Sequence, residues 1–111
     1  MMSRRTDYVQ RASILSALAN PARLQIVDSL SRGEKTVGEL STEVGLGLST
    51  VSRHLGILRT AGLVLDRKEG TRVYHKLAAP CVLDFFECVE RVLAEGRCTG
   101  GRRKPAPVSR C

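Results

Sequence analysis

The chain of 111 residues has few aromatic side chains and no long apolar run. It contains two tyrosines, two phenylalanines and no tryptophan, so its core must be largely aliphatic, and oligomerisation would help a chain of this size. No apolar segment reaches the roughly 20 residues of a membrane-spanning helix, and no apolar h-region follows the first residues. We therefore expect neither a membrane span nor an export signal. The four cysteines should then be thiols in a reducing cytoplasm.

Acidic residues are absent from the segment 97–111, which holds five of the 18 basic residues and none of the 11 acidic ones. The whole chain carries a formal charge of +7, which suits a polyanionic partner such as DNA. Residues 1–96 alone, with 13 basic and 11 acidic residues, are nearly balanced. We predict one domain over 1–96, whose DNA-binding face is a local patch, and a flexible basic, cysteine-containing tail over 97–111.

Four helices are predicted in the first 61 residues. The first is expected over residues 7–19 from the spacing of its apolar positions. Asn20 and Pro21 have the residue types of an N-cap and first position of a second helix. Thr36 and Glu39 form a capping-box pattern that opens a short third helix ending at Val44. After a tight Gly-Leu-Gly turn, a fourth helix follows to about residue 61.

The fourth helix has two faces at helical spacing. Val51, Leu55 and Leu58 form an apolar stripe for packing. The other face is polar and cationic, and Ser49 is the expected N-cap. Hydroxyls can bond bases or phosphates, an arginine can fork onto guanine, and Gly56 would let the DNA come close. The predicted DNA contacts of this helix are Ser49, Thr50, Ser52, Arg53 and His54.

The period changes to that of β-strands after residue 62. Two short runs of β-forming residues flank Glu69-Gly70 and predict a hairpin with that turn. Its inward-facing residues should be Leu63, Leu65, Val73 and Leu77. Its basic tip supplies the predicted phosphate contacts Arg67, Lys68 and Arg72. A last helix is then predicted from Pro80 to about residue 96.

This order of elements predicts a winged helix-turn-helix, mainly α with a small β-hairpin and about five helices. The segments ALANPARLQIVDSL, VGELSTEVGLGLSTVSRHLGILRTAGLV and EGTRVYHKL resemble the ArsR/SmtB family of bacterial metal-responsive repressors, over roughly residues 12–95. The resemblance implies a homodimer, joined through the first and last helices, that leaves its operator when an effector binds. Such a dimer would favour an inverted repeat in double-stranded DNA. The expected interface residues are Ile14, Leu15, Leu18, Phe85, Phe86, Val89 and Val92.

The family's known metal sites are incomplete in this sequence. The cysteine pair of its arsenite- and cadmium-responsive members falls at Thr36 and Gly38. Other members bind zinc through histidine and carboxylate ligands. At the corresponding positions this chain has no histidine, and two of the four residues are apolar. His54 and His75 are better explained by DNA contact or surface exposure than by metal. The positions of the family's zinc site hold Ala79, Cys81, Val92 and Glu95.

All four cysteines lie in the last helix or the tail. Cys81 and Cys88 would be roughly 10 Å apart along a helix, too far to share an ion. If two last helices pair head to tail about a two-fold near residues 89–90, Cys81 approaches Cys98 of the partner subunit, and Cys111 can join from the tail. Such thiolates suit trivalent arsenic, so Cys81, Cys98 and Cys111 are the predicted effector ligands. Cys88 is expected to be a small core residue.

Three other kinds of function compete with a metal-responsive repressor. An enzyme would need a nucleophile with a base, or paired carboxylates, and the sequence shows neither. A thiol redox or persulfide sensor on the same scaffold remains the alternative. Family members of that kind pair a cysteine of the second helix with one of the last, and the second helix here has none. A winged helix that docks proteins would lack sequence-specific DNA binding.

Overall fold

The computed structural model describes residues 4–95, with side chains from residue 7. Within that range it contains five helices and one antiparallel hairpin, which confirms the predicted fold class. The predicted tail, with Cys98 and Cys111, lies outside the described residues. No helix between residues 4 and 95 is long and apolar enough to cross a membrane. The elements are α1 (Arg4–Leu18), α2 (Pro21–Leu30), α3 (Val37–Val44), α4 (Leu48–Thr60), β1 (Val64–Glu69), β2 (Arg72–Leu77) and α5 (Val82–Glu95).

Helices α2 and α3 begin at the caps that their sequences predict. The Asn20 side chain accepts hydrogen bonds from the backbone N–H groups of Ala22 and Arg23, at 2.9 and 3.2 Å. Thr36 and Glu39 form a complete capping box, with bonds of 2.9 and 3.2 Å between each side chain and the other's backbone N–H. These bonds satisfy donors that have no acceptor within the helix. Local chemistry therefore sets where both helices start.

The core of residues 4–79 is built from aliphatic side chains of all four helices and of the start of the hairpin. Val51, Leu55 and Leu58, the predicted packing stripe of α4, are at most 2% exposed. Burying each such side chain contributes about 1.5–3 kcal/mol. The buried hydrophobic residues are Ala17, Leu18, Ile26, Val27, Leu30, Leu40, Val51, Leu55, Leu58, Leu63 and Val64.

The hairpin pairs β1 with β2 in a continuous register from Val64↔Leu77 to Glu69↔Arg72. The loop is Gly70-Thr71, one residue later than predicted, and Gly70 has a φ of +63°. A positive φ at the first loop residue but not at the second is typical of a type II′ turn. The prediction that Leu65 faces the core is wrong, because Leu65 is 51% exposed while Val64 is fully buried. The strand begins at Val64, so its alternation starts there.

The backbone contacts divide the chain into two compact units, with the boundary between Ala79 and Pro80.

The residues of α1 that were expected at a dimer interface differ in exposure. Ile14 and Leu15 are exposed, but Leu18 is buried within the chain and is therefore not available to a partner subunit.

Helix α5 has no buried residue in the described chain. Phe85, Val89 and Val92 are 42–47% exposed and follow one another at i, i+4 and i+7, so they form one apolar stripe. Cys88 is exposed as well, which makes its prediction as a core residue wrong.

Candidate nucleic-acid interface

A three-residue turn, Gly45–Gly47, joins α3 to α4. Gly45 ends α3 in the left-handed region, with a φ of +73°, where a side chain would be strained. The backbone N–H groups of Gly45 and Leu46 both donate to the Ser41 carbonyl oxygen, at 2.9 and 3.3 Å. The Ser41 hydroxyl donates to the Leu46 carbonyl. These bonds hold the turn that sets α4 at its angle to α3.

Helix α4 begins two residues earlier than its predicted N-cap implies. Its N-cap is Gly47, whose carbonyl accepts the Val51 N–H at 3.0 Å, and no side chain caps the helix. Ser49 is the second residue of the helix, so its prediction as the N-cap is wrong. The first-turn N–H groups of α4 are therefore open to an outside acceptor, and such groups favour an anion such as phosphate.

The predicted DNA-reading face of α4 is on the surface. Ser49, Ser52 and Arg53 are exposed, whereas Thr50 and His54 are half-buried. Between residues 7 and 95, no side-chain hydrogen bond or ion pair engages Ser49, Ser52 or Arg53. Their donors and acceptors are thus available to a ligand at this face.

His54 differs from the other predicted contacts because its ring is partly enclosed. Its Nδ1 atom is buried and has no hydrogen-bond partner among the described residues. Burial lowers the pKa of His54, and the nearby charges of Arg23 and Arg53 lower it further. These effects favour the neutral form of the ring. Sequence reasoning did not single out Arg23, since its position near His54 depends on the packing of α2 against α4.

The hairpin is anchored to the helical body through His75. The His75 and Lys35 backbones exchange two hydrogen bonds, at 2.8 and 3.1 Å. The His75 ring, only 8% exposed, lies 2.8 Å from Asp66, which also pairs with Arg59 of α4 at 2.9 Å. The prediction that His75 is at the surface or contacts DNA is therefore wrong. Its strand position turns it inward, and the aspartate partner satisfies its ring nitrogen.

The three predicted cations of the hairpin differ in their surroundings. Arg67 pairs with Glu34 at 2.8 Å and with Glu69 at 3.1 Å, and its guanidinium lies over the Tyr74 ring at 4.8 Å. Lys68 is exposed and makes no ion pair with any described residue. Arg72 is also exposed. Arg67 is thus largely committed within the chain, and Lys68 is the more available phosphate contact.

The thiol site can be followed only as far as residue 95. Cys81 is an exposed thiol in the turn before α5, where its carbonyl accepts the Asp84 N–H at 3.1 Å. In the described range, no group of three or more histidine, cysteine, aspartate or glutamate side chains is placed to hold a metal ion. Cys98 and Cys111 lie outside that range. The predicted thiol ligand set therefore stays a prediction.

A sequence model described as "Bacterial regulatory protein, arsR family" matches residues 20–65. A homodimeric winged helix-turn-helix DNA-binding domain from Mycobacterium bovis, a possible ArsR-family transcriptional regulator, has the same fold. Its TM-score is 0.74 at 34% identity, covering 90% of this chain and 97% of that one. The chain belongs to the arsR family.

Two further relatives carry names that state opposite effects on transcription. A biofilm growth-associated repressor of Xylella fastidiosa is 38% identical over 76 residues, which are 68% of this chain and 65% of the relative. The transcriptional activator HlyU of Vibrio cholerae is 40% identical over 82 residues, which are 74% of this chain and 76% of the relative. Membership in the arsR family gives this chain the fold of a DNA-binding transcriptional regulator.

Proposed function

We propose that this arsR-family protein is a cytoplasmic transcriptional repressor that binds an inverted-repeat operator as a homodimer. One observation carries the proposal: Ser49, Ser52 and Arg53 lie exposed and without side-chain bonds on the helix that follows the tight turn. Exposed polar side chains are common on surfaces, but these lie on the second helix of a helix-turn-helix, which such domains place in the major groove. In a major groove, the same groups meet base edges and phosphates.

The proposed docking places α4 in the major groove and the hairpin along the flanking backbone. Arg53 would read a base edge, and the first-turn N–H groups of α4 would hold a phosphate. Lys68 and Arg72 would contact phosphates from the hairpin. The anchor of His75 to Lys35 and Asp66 supports this arrangement, because it fixes the hairpin against the helical body before DNA arrives.

The proposed dimer covers apolar side chains that the single chain leaves exposed. Ile14 and Leu15 in α1 are 41% and 48% exposed, and Leu93 in α5 is 75% exposed. Apolar patches of this kind usually mark a protein interface. A two-fold dimer would present two copies of α4 about one DNA turn, or roughly 34 Å, apart.

The proposed effector is a trivalent arsenical bound by Cys81 together with Cys98 and Cys111 of the partner subunit. The exposed thiol of Cys81 just before α5 supports this assignment, because an ion can reach its sulfur. Thiolates in twos or threes suit soft, thiophilic ions. Binding there would change how the two last helices pair, and thereby the spacing of the two copies of α4.

The alternative is a repressor that senses oxidants or persulfides through the same thiols. An exposed thiol such as Cys81 is open to oxidation, so this reading also has support. This alternative departs from the pattern of the family's redox sensors, which use one cysteine in the second helix and one in the last, because α2 contains no cysteine.

The test of DNA recognition begins with selection of duplexes bound by the purified protein from a random-sequence library. We expect an inverted repeat with half-sites about 10 base pairs apart or a multiple of that spacing. Recovery of no common sequence would contradict the proposed repressor and favour a protein-docking role.

The selected duplex then serves in a release titration against arsenite, methylarsenite, antimonite, cadmium, zinc, peroxide and a persulfide donor. Release by trivalent arsenicals alone would support the arsenical effector. Release by peroxide or persulfide without any arsenical response would support the alternative.

A further inference from the structure

A groove of about 590 Å³ lies between α1, α2 and α4. Of the residues that line it, only Arg53 is a predicted DNA contact. Ala17, Gly56 and Ile57 contribute to its apolar lining. No aspartate or glutamate of the described chain lines it. Its polar lining consists of three arginines and three hydroxyl side chains: Arg23, Arg53, Arg59, Ser13, Ser16 and Thr60.

Two of the three arginines are electrostatically uncompensated. Arg59 pairs with Asp66 at 2.9 Å, but neither Arg23 nor Arg53 forms an ion pair with any residue between 7 and 95. Their charges both act on His54, where they add to the effect of burial in lowering its pKa. Like charges held together without an acid favour an anionic ligand.

A buried polar atom without a partner belongs to this lining. The Nε atom of Arg23, a lining residue, has no hydrogen-bond partner among the described residues. Buried donors are almost always bonded in folded proteins, to protein or to something bound. An acceptor oxygen beside the Arg23 guanidinium would supply the bond that the chain itself does not provide.

We propose that this groove binds a phosphate group, with Arg23 as its charged contact, the hydroxyls of Ser13, Ser16 and Thr60 as further donors, and the charge of Arg53 adding positive potential. A phosphate suits this lining better than a carboxylate, because it offers more oxygens to a forked guanidinium group and several hydroxyls. The lining also includes apolar residues, which suit carbon atoms attached to the phosphate.

The position of the groove indicates where the phosphate comes from. Arg53, Gly56 and Thr60 follow one another at i, i+3 and i+7 along α4, so the groove continues the face that Ser49 begins. A DNA backbone phosphate beside the major groove would reach it, and this source rests on the proposed function. A small phosphorylated ligand has the same chemistry, and because it would occupy the groove beside Arg53 it would compete with DNA.

The first experiment measures DNA binding by Arg23→Gln against salt concentration. Each phosphate contact contributes about 0.9 to the slope of log Kobs against log salt. We expect Arg23→Gln to reduce that slope by roughly this amount on both selected and random duplexes. Arg11→Gln is the matched control, since Arg11 is exposed on α1 and lies over the Tyr8 ring, outside the groove; its slope should equal that of the parent.

The second experiment titrates the DNA-free protein with inorganic phosphate and with adenosine monophosphate, by calorimetry. Saturable binding that Arg23→Gln abolishes and Arg11→Gln keeps would identify a free phosphate ligand. If Arg23→Gln does not fold, Ser16→Asp replaces it in both experiments, because Ser16 is exposed and the new carboxylate would repel phosphate from the groove.

The two experiments separate this inference from the proposed repressor. Binding to a selected sequence with an unchanged salt slope in the variant, and no saturable phosphate binding, would overturn the phosphate groove and leave the repressor intact. Failure to select any sequence would overturn the repressor, while the random-duplex slope and the calorimetry would still decide whether the groove binds phosphate.

Discussion

The Nδ1 atom of His75 lies 2.8 Å from Oδ1 of Asp66, and this partly buried contact joins the two strands of the hairpin. The other carboxylate oxygen of Asp66 accepts a bond from Arg59 at 2.9 Å. One carboxylate thus connects the last turn of α4 with both strands. If α4 and the hairpin bind DNA together, this connection fixes the angle between them.

Replacing Asp66 should therefore loosen the hairpin. Asp66→Asn removes the charge that pairs with Arg59 and weakens the bond to His75. We expect a loss of about 1–2 kcal/mol in the free energy of unfolding, together with weaker DNA binding. Urea denaturation measures the first effect. The control is Asp84→Asn, exposed on α5, which should change stability by less than about 0.5 kcal/mol; an equal loss in both variants would contradict the anchoring role.

A pH dependence should arise at the contact between α2 and α3. The Ser29 hydroxyl donates to Glu43, and Lys35 and Arg32 lie 3.9 and 3.4 Å from its carboxylate. The bond from Ser29 chiefly, and then the charge of Lys35, hold the pKa of Glu43 below its ordinary value. A carboxylate with a lowered pKa stabilises the fold above the ordinary glutamate pKa of about 4.3. That stabilisation disappears as the pH falls through the lowered value.

Glu43→Gln should consequently be less stable than the parent at pH 7, with the difference shrinking below about pH 4. Denaturation curves measured across this range give the comparison. Glu90→Gln, an exposed change on α5 without an ion pair in the described chain, should follow the parent at every pH. A stability difference for Glu43→Gln that stays constant into acid would show that lost packing, and not the charge, is responsible.

Gly56 offers a way to separate folding from DNA contact. It lies inside α4 without a positive φ, and an added Cβ would meet only the Arg59 guanidinium, at 3.7 Å. Alanine is favoured over glycine in a helix by about 0.8–1 kcal/mol, so Gly56→Ala should stabilise the protein. If DNA approaches the backbone here, the same change weakens binding. Gly38→Ala in α3 is the comparison, and we expect it to leave DNA affinity unchanged; unchanged affinity in Gly56→Ala would place the DNA elsewhere.

Local residue patterns were enough to predict where α2 and α3 begin. Asn20 and Thr36 cap through bonds to residues two or three positions away, and such bonds depend on little beyond the local sequence. The helical period likewise predicted the buried stripe of α4. The fold class followed from the order of these elements.

What the sequence could not predict depends on contacts between distant residues. The predicted orientations of Leu65 and His75 are wrong, because β1 begins at Val64, which is fully buried, and the side chains alternate from there. Sequence patterns do not identify Arg23 as a site residue. Its charge lowers the pKa of His54, but the two residues belong to different helices and come together only through packing. Arg67 was predicted as a phosphate contact without regard to Glu34, which lies 33 positions earlier in the chain and pairs with it.

The reading face and the hairpin should respond differently to loss of a cation. Arg53→Ala should cost about 1–3 kcal/mol on the selected operator and relax its specificity, if Arg53 reads a guanine. Lys68→Ala should weaken binding to all sequences alike and lower the salt slope by about one. Fluorescence anisotropy on selected and random duplexes measures both. Operator binding by Arg53→Ala as tight as the parent's would show that this face does not read the bases.

The proposed effector site is tested by exchanging one thiol at a time. Cys81→Ser and Cys98→Ser should each bind the operator normally but no longer leave it when methylarsenite is added, because serine oxygen is a poor ligand for a soft ion. A ligand that favours the released form by about 3 kcal/mol shifts occupancy more than a hundredfold, so the loss should be plain in an anisotropy titration. Cys88→Ser is the matched control, since its exposed position on α5 is not part of the proposed ligand set.

The tail cysteine should matter less. Cys111→Ser is expected to leave the operator partly or fully when methylarsenite is added. Cys81 of one subunit and Cys98 of the partner subunit would still supply two thiolates. Normal release from the Cys81→Ser/Cys98→Ser double variant would remove both residues from the site. Full release of the parent by peroxide, without any response to arsenicals, would transfer the same thiols to redox sensing. In that case the double variant should lose its peroxide response while Cys88→Ser keeps it.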